Sequence, residues 1–174
     1  INNRIYQRVH PTFINKDSYI ASIDGVLNAV IVDGEPVGQN VIQGEGAGAK
    51  ATTSALISDI SSILRGNIKF PFSISSKERK RLVYKDISER SFSAYLRFDV
   101  LDKPGVLSNI TSIFSKFKVS IKRLIQNPSS SKKFSSIVII THSSEDKFLN
   151  KILKQTEKKS YVIKKPKLIR IDTN

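Results

Sequence analysis

Between Ala94 and Val100 the chain alternates strictly: Ala94, Leu96, Phe98 and Val100 are apolar, while Tyr95, Arg97 and Asp99 lie between them. That two-residue period is the mark of a half-buried strand. Asp102-Lys103-Pro104-Gly105 interrupts it, and the period then changes. Val106, Leu107, Ile110, Ile113, Phe114 and Phe117 fall on one face of a helix over 106–117. Strands are expected at Val119–Ile125 and Phe134–Thr141, with the turn residues Asn127–Lys133 between them. A second helix over Glu145–Thr156 turns Phe148, Leu149, Ile152 and Leu153 inward, and a last strand covers Tyr161–Ile171. Strand, helix, strand, strand, helix, strand predicts a four-stranded antiparallel sheet with two helices on one face, a ferredoxin-like sandwich.

The first half is patterned differently. Arg4–His10 reads as a short strand stopped by Pro11. Leu27–Val32 is a continuous apolar run, followed by the turn residues Asp33-Gly34-Glu35-Pro36 and a second strand, Val37–Ile42, so residues 27–42 predict an antiparallel hairpin. Gly44, Gly46 and Gly48 come next, then a helix over Thr52–Leu64 with Leu56, Ile57, Ile60, Ile63 and Leu64 at helical spacing, ended by Arg65-Gly66. Residues 66–90 have no clear period and hold Pro71, several serines and the basic run 77–81. The expected fold class is α+β, with a first segment over 1–68, a linker over 69–91 and a ferredoxin-like βαββαβ domain over 92–174.

Composition narrows the classes. The 174 residues suffice for one large or two small domains, and 39% hydrophobic with 25% charged residues is ordinary for a globular chain. No apolar run approaches the roughly 20 residues that span a bilayer, and Ile1–His10 has no signal-peptide pattern. A cytoplasmic setting without a membrane partner is therefore expected. There is no methionine at all, and Ile1 is read as an internal residue of a longer protein. With no cysteine, disulfides, thiol catalysis and Cys-based metal sites are excluded. The two histidines, His10 and His142, stand in separate strand-like contexts, so no metal site is expected.

The net charge of +14 is lopsided: residues 1–87 carry +3 and residues 88–174 carry +11. A basic half raises nucleic acid as a partner. An RNA-binding module with this element order needs aromatic residues along its third strand; here that strand is FSSIVIITH, with one aromatic near its start. A solvated lysine-rich surface accounts better for the charge, and no nucleic-acid partner is expected.

Two segments carry candidate chemistry. Pro104 presets a helix start, Asp102 is placed to cap the first turn, and Gly105 permits close approach of a ligand or another backbone. Free amides at a helix start suit a carboxylate, such as that of an amino acid, although a plain capped turn has the same pattern. Asn109, one turn on, is placed either to hold the polar part of a ligand or simply to face solvent. The glycines at 44, 46 and 48 make a close-approach loop leading into a helix, but they lack the spacing of a dinucleotide fingerprint. Read alone, they describe a tight, closely packed turn.

Residues 94–126, with the element order to 171, resemble an ACT domain, the amino-acid-sensing module of many biosynthetic enzymes. The preceding residues resemble the end of the catalytic domain of bacterial homoserine dehydrogenases. Arg8–Thr12 matches their R-V-H-P-T segment, Ile23–Val30 their V-x-G-V-x-N-A-I phrase, and Gly44–Gly48 their G-x-G-A-G, with Thr52–Ala55 and Asp59 after it. Glu45 stands where a proline is common, and Lys50-Ala51-Thr52 replaces a phrase of small residues and proline.

The resemblance implies an NAD(P)-dependent reduction of L-aspartate 4-semialdehyde to L-homoserine, on the way to threonine, methionine and isoleucine. It implies NADP or NAD as cofactor in the full-length enzyme, with Gly46, Gly48 and Thr52 as contacts and none bound to this piece alone. It implies an amino-acid effector, threonine first, held by Asp102, Gly105, Val106 and Asn109. A Rossmann and substrate domain of the same chain, with the catalytic lysine, would lie upstream, so this piece is expected to hold no catalytic residue and to be inactive by itself. Lys16 and Lys50 do not match that lysine. Asp59 and His10 read as structural. Homo-oligomers through both domains are expected, with Val119–Ile125 and the last strand as candidate sheet edges. A stand-alone amino-acid sensor is the alternative, but it leaves residues 1–66 unexplained.

Overall fold

The computed structural model describes residues 4–67, 75–128 and 134–172. In chain order the elements are β1 (Arg4–Ile5), β2 (Thr12–Phe13), a 3₁₀ turn (Tyr19–Ser22), β3 (Leu27–Gly34), β4 (Gly38–Glu45) and α1 (Ala49–Leu64). After the basic run come β5 (Val83–Tyr84), a 3₁₀ turn (Ile87–Glu89), β6 (Ser91–Leu101), α2 (Val106–Lys116), β7 (Ile121–Pro128), β8 (Phe134–Thr141), β9 (Ser144–Glu145), α3 (Asp146–Glu157) and β10 (Lys167–Ile171). No described helix is long and apolar enough to cross a membrane.

The chain forms two compact units, one of residues 1–14 and 83–174, the other of residues 15–82. In the larger unit the sheet order is β2-β10-β6-β8-β7, with β9 pairing the start of β6. The pairs β10–β6, β6–β8 and β8–β7 are antiparallel, which is the expected ferredoxin-like sheet. Ala94, Leu96, Phe98 and Val100, the apolar half of the alternation, are wholly buried with Ile137 and Ile139 of β8. Against them pack Ile110, Ile113 and Phe114 of α2, and Leu149 and Ile152 of α3. Phe98 meets Phe114 edge to face, ring centres 6.2 Å apart, a favoured aromatic geometry.

The structure corrects several expected boundaries. The strand expected at Arg4–His10 is two short pieces, β1 beside β5 and β2 beside β10, both parallel. Through β2, residues of the first segment join the second sheet, so the compact units divide the chain elsewhere than at 68/69 and 91/92. The last strand is consequently not an edge: Arg170 pairs with Thr12, and the Asp172 amide donates to the Phe13 carbonyl at 2.8 Å. Tyr161–Ile171 is not one strand either. Val162 bridges Val100 and Lys167 pairs with Arg97, so five steps on one strand face three on the other. Pro166, which has no amide to give, lies in that bulge. β7 starts later than expected because Lys118 turns at φ 54, and it keeps an irregularity between Ile121 and Arg123. It runs on through Asn127 and Pro128, which were expected in the turn; the rest of that turn, 129–133, lies outside the described residues, as does 68–74 of the expected linker.

In the smaller unit β3 and β4 form the expected hairpin, extended to Leu27 opposite Glu45. Helix α1 starts three residues before the expected Thr52. None of its residues is buried, and Leu56, Ile57, Ile60, Ile63 and Leu64 stand open to solvent.

Candidate functional site

The glycine segment ends β4 and starts α1. The Gly46 amide donates to the Val26 carbonyl at 3.1 Å, across the hairpin mouth. A Cβ placed on Gly46 would lie 1.5 Å from Asn28 Nδ2, so any side chain there would have to displace the exposed Asn28 amide. Gly48 differs. It is the N-cap residue at φ 123, and a Cβ there would meet nothing within 4 Å. No side chain caps the first turn of α1, so its leading amides face forward unpaired. The Thr52 amide already donates to the Gly48 carbonyl at 3.0 Å, which leaves Thr52 its exposed hydroxyl. Asp59 is exposed farther along α1.

The turn between β6 and α2 brings Asp102, Gly105 and Val106 around a cavity of about 340 Å³, with Lys103, Leu107 and Gln126 beside them. Gly105 takes the left-handed conformation at φ 85 and is the N-cap of α2. Val106 is buried and anchors the first turn. The expected cap by Asp102 is not made: no side chain caps α2, and an Asp102 carboxylate oxygen instead accepts from Gln126 Nε2 at 3.5 Å. With Gly105 as N-cap, Asp102 lies three residues too early to cap the helix. Asn109 folds back, its Nδ2 donating to the Gly105 carbonyl at 3.0 Å, and it is not among the residues lining the cavity. Three of the four expected effector residues therefore share one cavity, and Asn109 braces its glycine.

A third cluster was not anticipated. Asp146, the first residue of α3, is 2% exposed, and Arg170 on β10 is 8% exposed. Arg170 donates to Asp146 Oδ1 through Nε at 2.8 Å and through Nη2. Asn150 Nδ2 donates to Oδ2 at 2.7 Å, and Arg8, from the segment between β1 and β2, stands at 3.4 Å. Arg8, Arg90 and Arg170 each lie 5.7–5.9 Å from the centre of the Phe92 ring, within cation–π range. They border a cavity of about 520 Å³. Its only sequence signal was a pair of opposite charges at positions whose neighbours read as buried, and pairing them required knowing that β10 passes the start of α3. His10 lies on its wall, with Nδ1 within 3.1 Å of the Thr12 hydroxyl. Among the described residues no group of His, Asp and Glu could hold a metal.

Comparison with known proteins agrees with both halves. The homoserine dehydrogenase family model matches residues 1–61, and the AHAS small subunit-like ACT domain model matches residues 96–164. Homoserine dehydrogenase of Helicobacter pylori is 33% identical over 165 residues, 95% of this chain and 39% of that protein. The Neisseria gonorrhoeae homoserine dehydrogenase is 34% identical, over 95% of this chain and 40% of its own length. The crystal structure of a homoserine dehydrogenase from Thiobacillus denitrificans superposes with a TM-score of 0.84 at 29% identity, covering 99% of this chain and 40% of that one. The chain thus spans about two-fifths of the length of these relatives. It carries, in this order, a segment similar to homoserine dehydrogenases over residues 1–61 and a segment matching the ACT domain model over residues 96–164.

Proposed function

We propose that the chain is the C-terminal part of an NAD(P)-dependent homoserine dehydrogenase, cytoplasmic, in which the ACT domain conveys feedback from a free amino acid. The observation that carries this reading is the succession of the two family matches on one chain. The full enzyme would reduce L-aspartate 4-semialdehyde to L-homoserine, the nicotinamide cofactor supplying the hydride when bound. Within this chain, Gly48 and the leading amides of α1 fit one polar or anionic part of such a cofactor. The backbone there is open where a side chain would stand, the amides are uncapped, and a helix start favours negative charge. The Thr52 hydroxyl is exposed one turn on and adds a donor. Gly46 fits less directly; packed on Asn28, it holds the loop's path rather than offering a surface.

The reading of the effector site rests on the cavity at Asp102, Gly105 and Val106. Uncapped amides at the start of α2 suit an amino acid's carboxylate, Asp102 suits its ammonium group, and threonine is the effector we propose. An effector that binds one arrangement of the protein better than another shifts the population toward it.

A thermal-shift titration of the chain against a panel of free amino acids tests the sensor. A saturable rise with threonine that vanishes in Gly105→Leu is expected. A flat response to the whole panel, in both the chain and a longer protein containing it, would remove the sensor reading. For the dehydrogenase, Gly48→Val in the longer protein is expected to raise the KM for NADP; an unchanged KM would sink that assignment.

A further inference from the structure

We infer that the cavity bordered by Arg8, Arg90 and Arg170 is a binding site for a small oxyanion, a carboxylate or phosphate group. It is separate from the amino-acid site at the start of α2. A buried ion-pair network that merely held the fold together would match its charges and satisfy its donors. This cluster does neither. Three guanidinium groups gather on one aromatic ring, and the buried carboxylate among them, Asp146, is already taken by Arg170 and Asn150. With Asp172, the other acid on the cavity wall, counted in full, one positive charge is still in surplus.

The donors tell the same story. A guanidinium has five N–H groups in a planar fork and needs acceptors for them when buried. Arg8 reaches Asp146 with Nη2 at 3.5 Å, the outer limit for a hydrogen bond. Its Nη1 is buried and makes no hydrogen bond. It stands 3.4 Å from the same carboxylate, already committed to Arg170. A second acceptor in the cavity would satisfy that fork. Arg90 is exposed on the cavity wall and free to close from the solvent side. The hydroxyls of Thr12 and Ser93 add neutral donors of the kind that complete an oxyanion's shell. Phe92 lies within cation–π reach of all three guanidiniums, an attraction that holds them together around the cavity. The cavity volume of about 520 Å³ suits a small metabolite rather than a bare ion.

Isothermal titration of the chain with inorganic phosphate and, separately, with succinate tests this, using chloride at equal ionic strength as the reference. Saturable binding of either is expected; phosphate alone would identify a phosphate-bearing ligand, and succinate alone a carboxylate. Arg8→Gln and Arg90→Gln are each expected to weaken that binding about tenfold or more, as loss of a charge-assisted contact does, while Arg123→Gln on β7 and Gly105→Leu leave it unchanged. Arg90 is exposed, so its variant keeps the test valid if Arg8→Gln fails to fold. Binding no tighter than that of chloride, or an Arg90→Gln protein that binds like the parent, would overturn the site. Because Gly105→Leu reads only the amino-acid site, the two assignments fail independently.

Discussion

Asp146 is a buried carboxylate that ties together three parts of the larger unit. Its carboxylate holds Arg170 of β10, Asn150 of its own helix and Arg8 of the N-terminal segment. Asp146→Ala leaves Arg170 charged, 8% exposed and without its partner. Removing one member of a buried pair costs about 3–5 kcal/mol, so a urea midpoint lowered to that extent, at unchanged m-value, is expected. A loss under about 1 kcal/mol would mean water replaces the carboxylate. Tyr161 is the opposite case. Its hydroxyl is buried without a hydrogen bond, and burial raises its pKa from 10.0. The folded state therefore keeps this proton more tightly than the unfolded chain does. Its contribution is complete below pH 10 and is lost as pH rises beyond that. Tyr161→Phe should be neutral to slightly stabilising at pH 7 and should flatten the alkaline limb of a Tm-against-pH curve; an unaltered alkaline limb would contradict the burial. Neither role was readable beforehand. Asp146 at a helix start looks like a cap, and Tyr161 like an ordinary strand residue.

At the scale of elements, period was a sound guide and adjacency was not. The alternation at 94–100 and the stripe of 106–117 became β6 and α2 because one face of each is buried in the same core. The glycine loop and the Asp102–Gly105 turn were legible for the same reason, since their residues encode local backbone. What could not be read was β2, two residues long, whose place beside β10 depends on pairing across more than 150 positions. That pairing covers the outer edge of the sheet, with Phe13 edge to face on Tyr95 at 5.3 Å. An uncovered strand presents unpaired amides and carbonyls to any other chain. A protein lacking residues 1–14 is therefore expected to melt lower and to self-associate as concentration rises, by analytical ultracentrifugation. Phe13→Ala should lose about 0.5–1.5 kcal/mol without associating, since backbone pairing is kept. A truncated chain that stays monomeric would show that β10 does not need its cover.

Across the whole molecule the buried apolar residues are unevenly shared. Among the described residues, the thirteen members of the core cluster lie between Ala94 and Ile152, in the larger unit. In the smaller unit neither β4 nor α1 buries a residue, although α1 carries a full apolar stripe. Helical propensity alone leaves a 16-residue helix marginal in water, and a lone two-stranded hairpin is marginal too. Stability should then differ sharply between the units. In hydrogen exchange, the amides of β6 and β8 are expected to exchange at least about a hundredfold more slowly than those of α1 and β4. The stripe of Leu56, Ile60 and Ile63 is what a helix needs in order to pack against something. In a longer protein that supplies a covering surface, α1 should gain protection while β6 and β8 stay as they were. Equal protection of both units in the chain alone would mean that α1 finds its cover within these 174 residues. Unchanged exchange of α1 in the longer protein would mean that its apolar face is not an internal one.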